Sequence, residues 1–199
     1  MSSNTMREHY SLEELDRMLA CLSQRSASGL RDRCFITLAS RSGLRCAEML
    51  ALLPTDIQEE NGNPYVLVRN GKGGKVRRVP VKQNVLDAIA RWMAKRKQLG
   101  IRRNSPLFCS ITGAEKGAAL STSAIRQKLL RLQKKTGIEK RLHPHGLRHT
   151  ATVQWANRGV PVPIIQRLLG HSSLTVTAIY LASLSCADVS RAMNAVQEW

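Results

Sequence analysis

Tyr65-Val66-Leu67-Val68-Arg69 and Val76-Arg77-Arg78-Val79-Pro80-Val81 flank the stretch Asn70-Gly71-Lys72-Gly73-Gly74-Lys75. Both arms are rich in β-branched residues and the middle is a turn sequence, so the segment reads as an antiparallel hairpin with a lysine at its tip. Elsewhere the apolar spacing is helical. Ser11-Leu12-Glu13-Glu14 has the form of a capping box ahead of Leu15, Met18, Leu19 and Leu22, and Leu30 to Ser42 ends at Gly43. Ala47 to Leu53 is stopped by Pro54. After the hairpin, residues 83–99 form a helix with a basic last turn. Ser121 caps another over 122–136, closed by Gly137, with Ile125, Leu129 and Leu132 as its buried stripe. Helical patterns follow at 146–158, 162–169, 174–182 and 187–198. The expected fold class is therefore mainly α with a small antiparallel β-sheet (α+β), in one domain without internal repeats.

The chain has 199 residues, 31 Lys+Arg against 14 Asp+Glu, and a formal charge of +17. With 43% hydrophobic residues it can bury a core, which excludes a disordered basic tail. The charge is concentrated: residues 1–68 carry 7 basic and 9 acidic side chains, whereas residues 69–137 carry 18 and 2. A field so localised points to a polyanion, because each cation that neutralises a phosphate releases a condensed counterion. Nucleic acid fits better than membrane, since no basic amphipathic segment carries large apolar anchors opposite its charges. No run of eighteen apolar residues and no signal segment is present, so a soluble, cytoplasmic protein is expected. The five cysteines are scattered and never spaced Cys-x-x-Cys, which disfavours a disulfide framework or a zinc module.

Four of the five histidines, His143, His145, His149 and His171, fall between Lys140 and Ala187, a stretch with no Asp or Glu but with Arg148, Arg158 and Arg167. Paired-carboxylate and hard-cation chemistry are disfavoured there. His145 and His149 stand at i, i+4, a spacing that suits zinc, but no carboxylate lies near in sequence to support one. Metal-free phosphoryl transfer is the better match. It needs guanidinium forks for the nonbridging oxygens, a proton donor for the leaving oxygen and an in-line nucleophile.

Taken in order, Ser42-Gly43-Leu44-Arg45-Cys46-Ala47-Glu48, the tip Gly71-Lys72-Gly73-Gly74-Lys75, the box His145-Gly146-Leu147-Arg148-His149-Thr150, Leu169-Gly170-His171 and Tyr180 resemble the tyrosine recombinase (phage integrase) catalytic domain. The resemblance extends over nearly the whole chain from about Tyr10. It implies that Arg45 and Arg148 clamp the scissile phosphate, that His145 assists proton transfer, and that Lys72, rather than Lys75, is the general acid for the leaving 5′ oxygen. It further implies that His171 hydrogen-bonds the phosphate, that Tyr180 attacks it to give a 3′-phosphotyrosyl link, and that Glu48 braces the site. No metal, nucleotide or other cofactor is implied. The activity expected is site-specific DNA recombination on duplex DNA by a homo-tetramer, with accessory DNA-bending proteins, at the nucleoid. A non-catalytic DNA-binding or architectural protein of the same fold and a type IB topoisomerase are the alternatives.

The expected DNA contacts are Lys75 and Arg77 on the hairpin and Arg126, Lys128 and Arg131 on the helix 122–136. Residues 1–9 are expected to form an N-terminal arm, 10–182 the catalytic domain, and 183–199 a C-terminal helix exchanged between subunits. Most relatives carry a further helical domain upstream that closes a clamp on DNA, and Met1 to Tyr10 leaves no room for it; either the sequence is a piece of a longer protein or it is of a short single-domain type that resembles the fimbrial-switch DNA invertases.

Overall fold

The computed structural model describes residues 9–69, 76–140 and 143–170. Its helices are α1 (Leu12–Ala20), α2 (Ala27–Ser42), α3 (Cys46–Ala51), α4 (Gln83–Gln98), α5 (Thr122–Thr136), α6 (Pro144–Ala156) and α7 (Val162–Leu169). Between α3 and α4 lie the strands β1 (Ile57–Glu60), β2 (Asn63–Val68) and β3 (Arg77–Pro80). They form one antiparallel sheet in the order β1-β2-β3. The mainly helical α+β class expected from sequence is the one observed.

Helix α2 is the central element, packed against α4 and α6. It buries residues around most of its circumference, including Cys34, Phe35, Ile36, Leu38 and Ala39, as a helix covered on several sides must. Phe35 meets Phe108 edge to face with ring centroids 5.1 Å apart. At the start of the chain, the capping box on α1 forms as expected: the Glu14 amide donates to Ser11 Oγ (3.1 Å) and the Ser11 amide to Glu14 Oε2 (2.8 Å). Just before it, Tyr10 is fully buried. Its amide donates to Thr150 Oγ1 on α6 (2.9 Å), and its hydroxyl accepts from Gln133 Nε2 on α5 (2.6 Å). The first core residue of the described chain is thus pinned to two late helices.

Helix α4 departs from a simple apolar stripe. Alongside Val85 and Ile89, it buries Trp92 and the guanidinium of Arg96. Arg96 donates to the carbonyls of Arg102, Ser105, Pro106 and Leu107, and Trp92 Nε1 donates to Leu107 O (2.8 Å). A buried cation is tolerated here because backbone oxygens replace its hydration.

The sheet has one strand more than the sequence reading predicts. Strand β1 pairs with β2 through a two-residue turn, Asn61-Gly62, both with positive φ (51° and 75°). Strands β2 and β3 pair in the register Val66↔Val79, Leu67↔Arg78 and Val68↔Arg77. Directly opposed residues share a face, so Arg77 lies on the inward face with Val66, Val68 and Val79, and Arg78 on the other. Arg78 pairs with Glu60 and sits over the Tyr65 ring at 5.0 Å.

Candidate phosphate-binding site

Helix α2 ends at Gly43, in the left-handed conformation (φ 62°) that closes a helix without a Cβ penalty. A side chain would be crowded there as well: a Cβ would lie 3.0 Å from both Leu169 Cδ2 and Trp155 Cη2, closer than ordinary van der Waals contact. Two residues later Arg45, in extended backbone, starts α3 as its N-cap, and its amide donates to Glu48 Oε2 (2.8 Å). The Arg45 side chain returns to the same carboxylate, Nη1 to Oε1 at 2.9 Å, and remains 28% exposed. Glu48 is buried, with 8% of the residue exposed.

The second support of Glu48 comes from β3. Arg77 Nη1 donates to Oε1 (2.9 Å) and Nη2 to Oε2 (2.7 Å), a bidentate pair. Arg77 Nε donates to Leu168 O (2.9 Å). Burial pushes the Glu48 carboxyl up, but the hydrogen bonds from Arg77 and from the Arg45 amide and side chain outweigh it, so its pKa lies below the ordinary value. A carboxylate held ionised in this way is unsuited to donating a proton at neutral pH. Its role is to fix arginines.

Arg148, on α6, is 1% exposed. It donates from Nη1 to Gly43 O (2.7 Å) and from Nη2 to Leu169 O (2.8 Å). The last turn of α7 therefore receives two guanidinium groups, Arg77 on Leu168 and Arg148 on Leu169. Helix C-terminal carbonyls lack intrahelical partners and carry the negative end of the dipole, so cations are favoured there. Gly170 ends α7 with φ 63°, and a Cβ on it would sit 3.1–3.3 Å from the Arg77 guanidinium. The network thus joins residues more than a hundred apart in sequence: Arg148 holds the carbonyl two residues before Arg45, and Glu48 and Arg77 hold Arg45 to the end of α7.

His145 and His149 lie one turn apart on α6, rings edge to face with centroids 4.6 Å apart. His145 is exposed and His149 is 4% exposed. No group of three or more His, Cys, Asp or Glu side chains able to hold a metal ion occurs among the described residues. Cys34 and Cys109 are buried, and Cys21 and Cys46 half-buried, all as free thiols.

The structure thus brings together Arg45, Glu48 and Arg148, with His145 one turn before Arg148 on α6. Lys72, Lys75, His171 and Tyr180 lie outside the described residues. Of the expected DNA-contacting residues, Arg126 and Arg131 are exposed on α5, whereas Lys128 is tied to Asp32 (Nζ to Oδ2, 3.0 Å). Arg77 is placed differently from expectation. Its donors are directed inward to Glu48 and Leu168 because the strand alternation puts it on the face of Val79. That alternation is visible in Arg77-Arg78-Val79 and is the signal by which sequence reasoning could have found it.

No helix of the described residues is long and apolar enough to cross a membrane. Residues 10–185 match the model of the phage integrase family. Over 151 residues, 76% of the chain, it is 36% identical to the tyrosine recombinase XerC of Shewanella sp. (strain ANA-3), covering 48% of that protein. It is 34% identical over 154 residues, 77% of the chain, to the tyrosine recombinase XerA of Pyrococcus horikoshii, covering 51% of it. The chain thus spans about half the length of the curated relatives it matches. Among solved structures, the XerH site-specific recombinase bound to a palindromic difH substrate in a post-cleavage complex superposes with a TM-score of 0.78 at 26% identity, over 98% of this chain and 55% of that one. The arginine network is therefore set in a chain that is similar in sequence to tyrosine recombinases and in fold to a site-specific recombinase, and the chain belongs to the phage integrase family.

Proposed function

We propose that the chain is a site-specific tyrosine recombinase that cleaves and rejoins duplex DNA through a 3′-phosphotyrosyl intermediate. The observation that carries this reading is the arginine pair. Arg45 and Arg148 are fixed by Glu48 and by the carbonyls of Gly43 and Leu169, so two guanidinium groups are oriented before any anion arrives. Preorganised donors of this kind stabilise the charge on a phosphorane far better than mobile ones. The XerH relative in its post-cleavage complex with DNA supports the same reading.

In the proposed reaction, the Tyr180 oxygen forms a bond to phosphorus as the bond to the 5′ oxygen breaks. Lys72 gives its proton to the departing 5′ oxygen. Arg45, Arg148 and His171 hold the nonbridging oxygens, and His145 assists the proton transfers by taking up the proton that the Tyr180 hydroxyl loses. One ester replaces another, so the break is stored without a nucleotide, and a 5′-hydroxyl from a partner duplex reverses the step. Exchange between two duplexes calls for a tetramer, with residues 183–199 docking between subunits and DNA-bending proteins as accessories. The setting is the nucleoid, in the cytoplasm.

The test is covalent trapping. The protein is incubated with duplexes of randomised sequence, each nicked so that the 5′-hydroxyl fragment diffuses away, and adducts are isolated under denaturing conditions. A protein–DNA adduct from the wild type that is absent with Tyr180→Phe is expected. No adduct, or one that survives Tyr180→Phe, overturns the proposal and leaves a DNA-binding protein.

A further inference from the structure

We propose that Arg77 is a positioning residue for DNA cleavage, one that sets the distance between the two phosphate-clamping arginines; this rests on the reading above. Three hydrogen bonds define its place. Nη1 and Nη2 grip the two oxygens of Glu48 (2.9 and 2.7 Å), and Nε grips Leu168 O (2.9 Å). Glu48 in turn holds Arg45 by its amide and its side chain. Leu169, the next residue after Leu168, holds Arg148. Among the described residues, Arg77 thus touches both supports, the carboxylate behind Arg45 and the helix end behind Arg148.

Its surroundings are built for a guanidinium. The residue lies on the inward face of β3, only 11% of its side chain is exposed, and Gly170 leaves the space that a Cβ would take from it. A lysine carries one donor centre and cannot span a carboxylate and a carbonyl in fixed directions, so only arginine satisfies all three bonds at once. Charge balance points the same way. Arg45 and Arg77 share one carboxylate, so Glu48 does not cancel the positive charge that Arg45 offers to a phosphate.

The experiment uses the full chain and the nicked duplex recovered by trapping, with single-turnover cleavage measured at saturating protein and DNA affinity measured separately. Arg77→Ala and Arg77→Lys are each expected to lower the saturated rate about a hundredfold, the scale of a small misplacement at a reacting centre. Affinity should change less than about threefold, because no phosphate contact is lost. Arg78→Ala, the same charge change one residue along on the other face, is expected to cleave like wild type.

A second substrate carries a methylphosphonate at the scissile position. With one nonbridging oxygen neutralised, the clamp has less charge to hold, and the gap between Arg77→Ala and wild type should narrow. Affinity that falls in step with rate, a fully active Arg77→Lys, or an equal gap on both substrates overturns the proposal. If Arg77→Ala does not fold, Arg77→Lys decides by the same measurements. A wild type that forms no adduct defeats the recombinase reading instead.

Discussion

Two sets of cations in this molecule do different work. On α5, Arg126, Arg131, Lys134 and Lys135 project into water. By contrast, Arg77 and Arg148 are enclosed by carbonyls, a carboxylate and close-packed glycines. Exposed side chains of the first kind keep their rotamer freedom, are screened by salt, and serve a polyanion at any register. Those of the second kind have lost that freedom on folding and can place charge at one point. On the proposed reading, the difference teaches that net charge would locate a DNA-binding surface, whereas the chemistry would depend on cations whose hydrogen bonds are already committed.

Breaking the enclosed set should have the largest effect. Arg148→Ala removes two charge-assisted hydrogen bonds and leaves the Gly43 and Leu169 carbonyls without that donor. Cleavage should fall about 10²–10³-fold, and denaturant unfolding should show a loss of about 2–4 kcal/mol. Gly43→Ala tests the same set from the backbone. The residue needs positive φ and would drive its Cβ into Trp155 and Leu169, so a loss of about 2 kcal/mol is expected, with slower cleavage as the Gly43 carbonyl shifts from Arg148.

The enclosed set also carries a pH signature. The folded pKa of Glu48 lies below its ordinary value of 4.5. Its contribution to stability is therefore fully present above that value and lost as pH falls through the folded one. Thermal midpoints of the wild type should drop on acidification below about pH 4.5, and those of Glu48→Gln, already lower at neutral pH, should drop less steeply. Glu14, lowered too by its bonds to Ser11 and Lys140 despite the opposing effect of burial, leaves a residual acid limb in both.

The exposed set should respond to salt instead. Arg126→Ala with Arg131→Ala should weaken DNA binding and reduce the slope of log affinity against log salt by about 2, while the saturated cleavage rate stays unchanged. Smallest of all, Glu60→Gln, which breaks the solvent-exposed pair with Arg78, should alter stability by less than about 0.5 kcal/mol and leave cleavage alone. A cleavage defect in either variant would erase the distinction between the two sets.

Much of this was legible in the residues because local chemistry sets the boundaries. Ser11 and Ser121 cap α1 and α5, and Gly43, Gly137 and Gly170 terminate α2, α5 and α7 in left-handed backbone, whereas α2 begins at Ala27 behind Ser26, earlier than the expected Leu30. Arg45, Glu48 and Arg148 were found from motif order and stand in one hydrogen-bonded network. Strand β1 is not legible in the sequence although Asn61-Gly62 is a strong short hairpin signal. Its four residues, Ile-Gln-Glu-Glu, are too polar and too few to show a period. The inward placement of Arg77 is hidden because a basic residue in a basic segment reads as surface. Only pairing with β2 shows which face it takes. Nor could the sequence show that α7 would end on two guanidinium groups, since that contact joins residues 91 and 21 positions apart.

Arg77 and Arg78 are chemically identical neighbours, and what assigns them opposite duties is the set of valines around them. Sliding β3 by one position against β2 would send Arg78 inward and Arg77 out, leaving an arginine for Glu48. It would also turn Val79 from a fully buried position into water, at about 1.5–3 kcal/mol. The apolar side chains thus act as a selector between two equivalent cations. That selection is made within the strands, by side chains that carry no charge of their own.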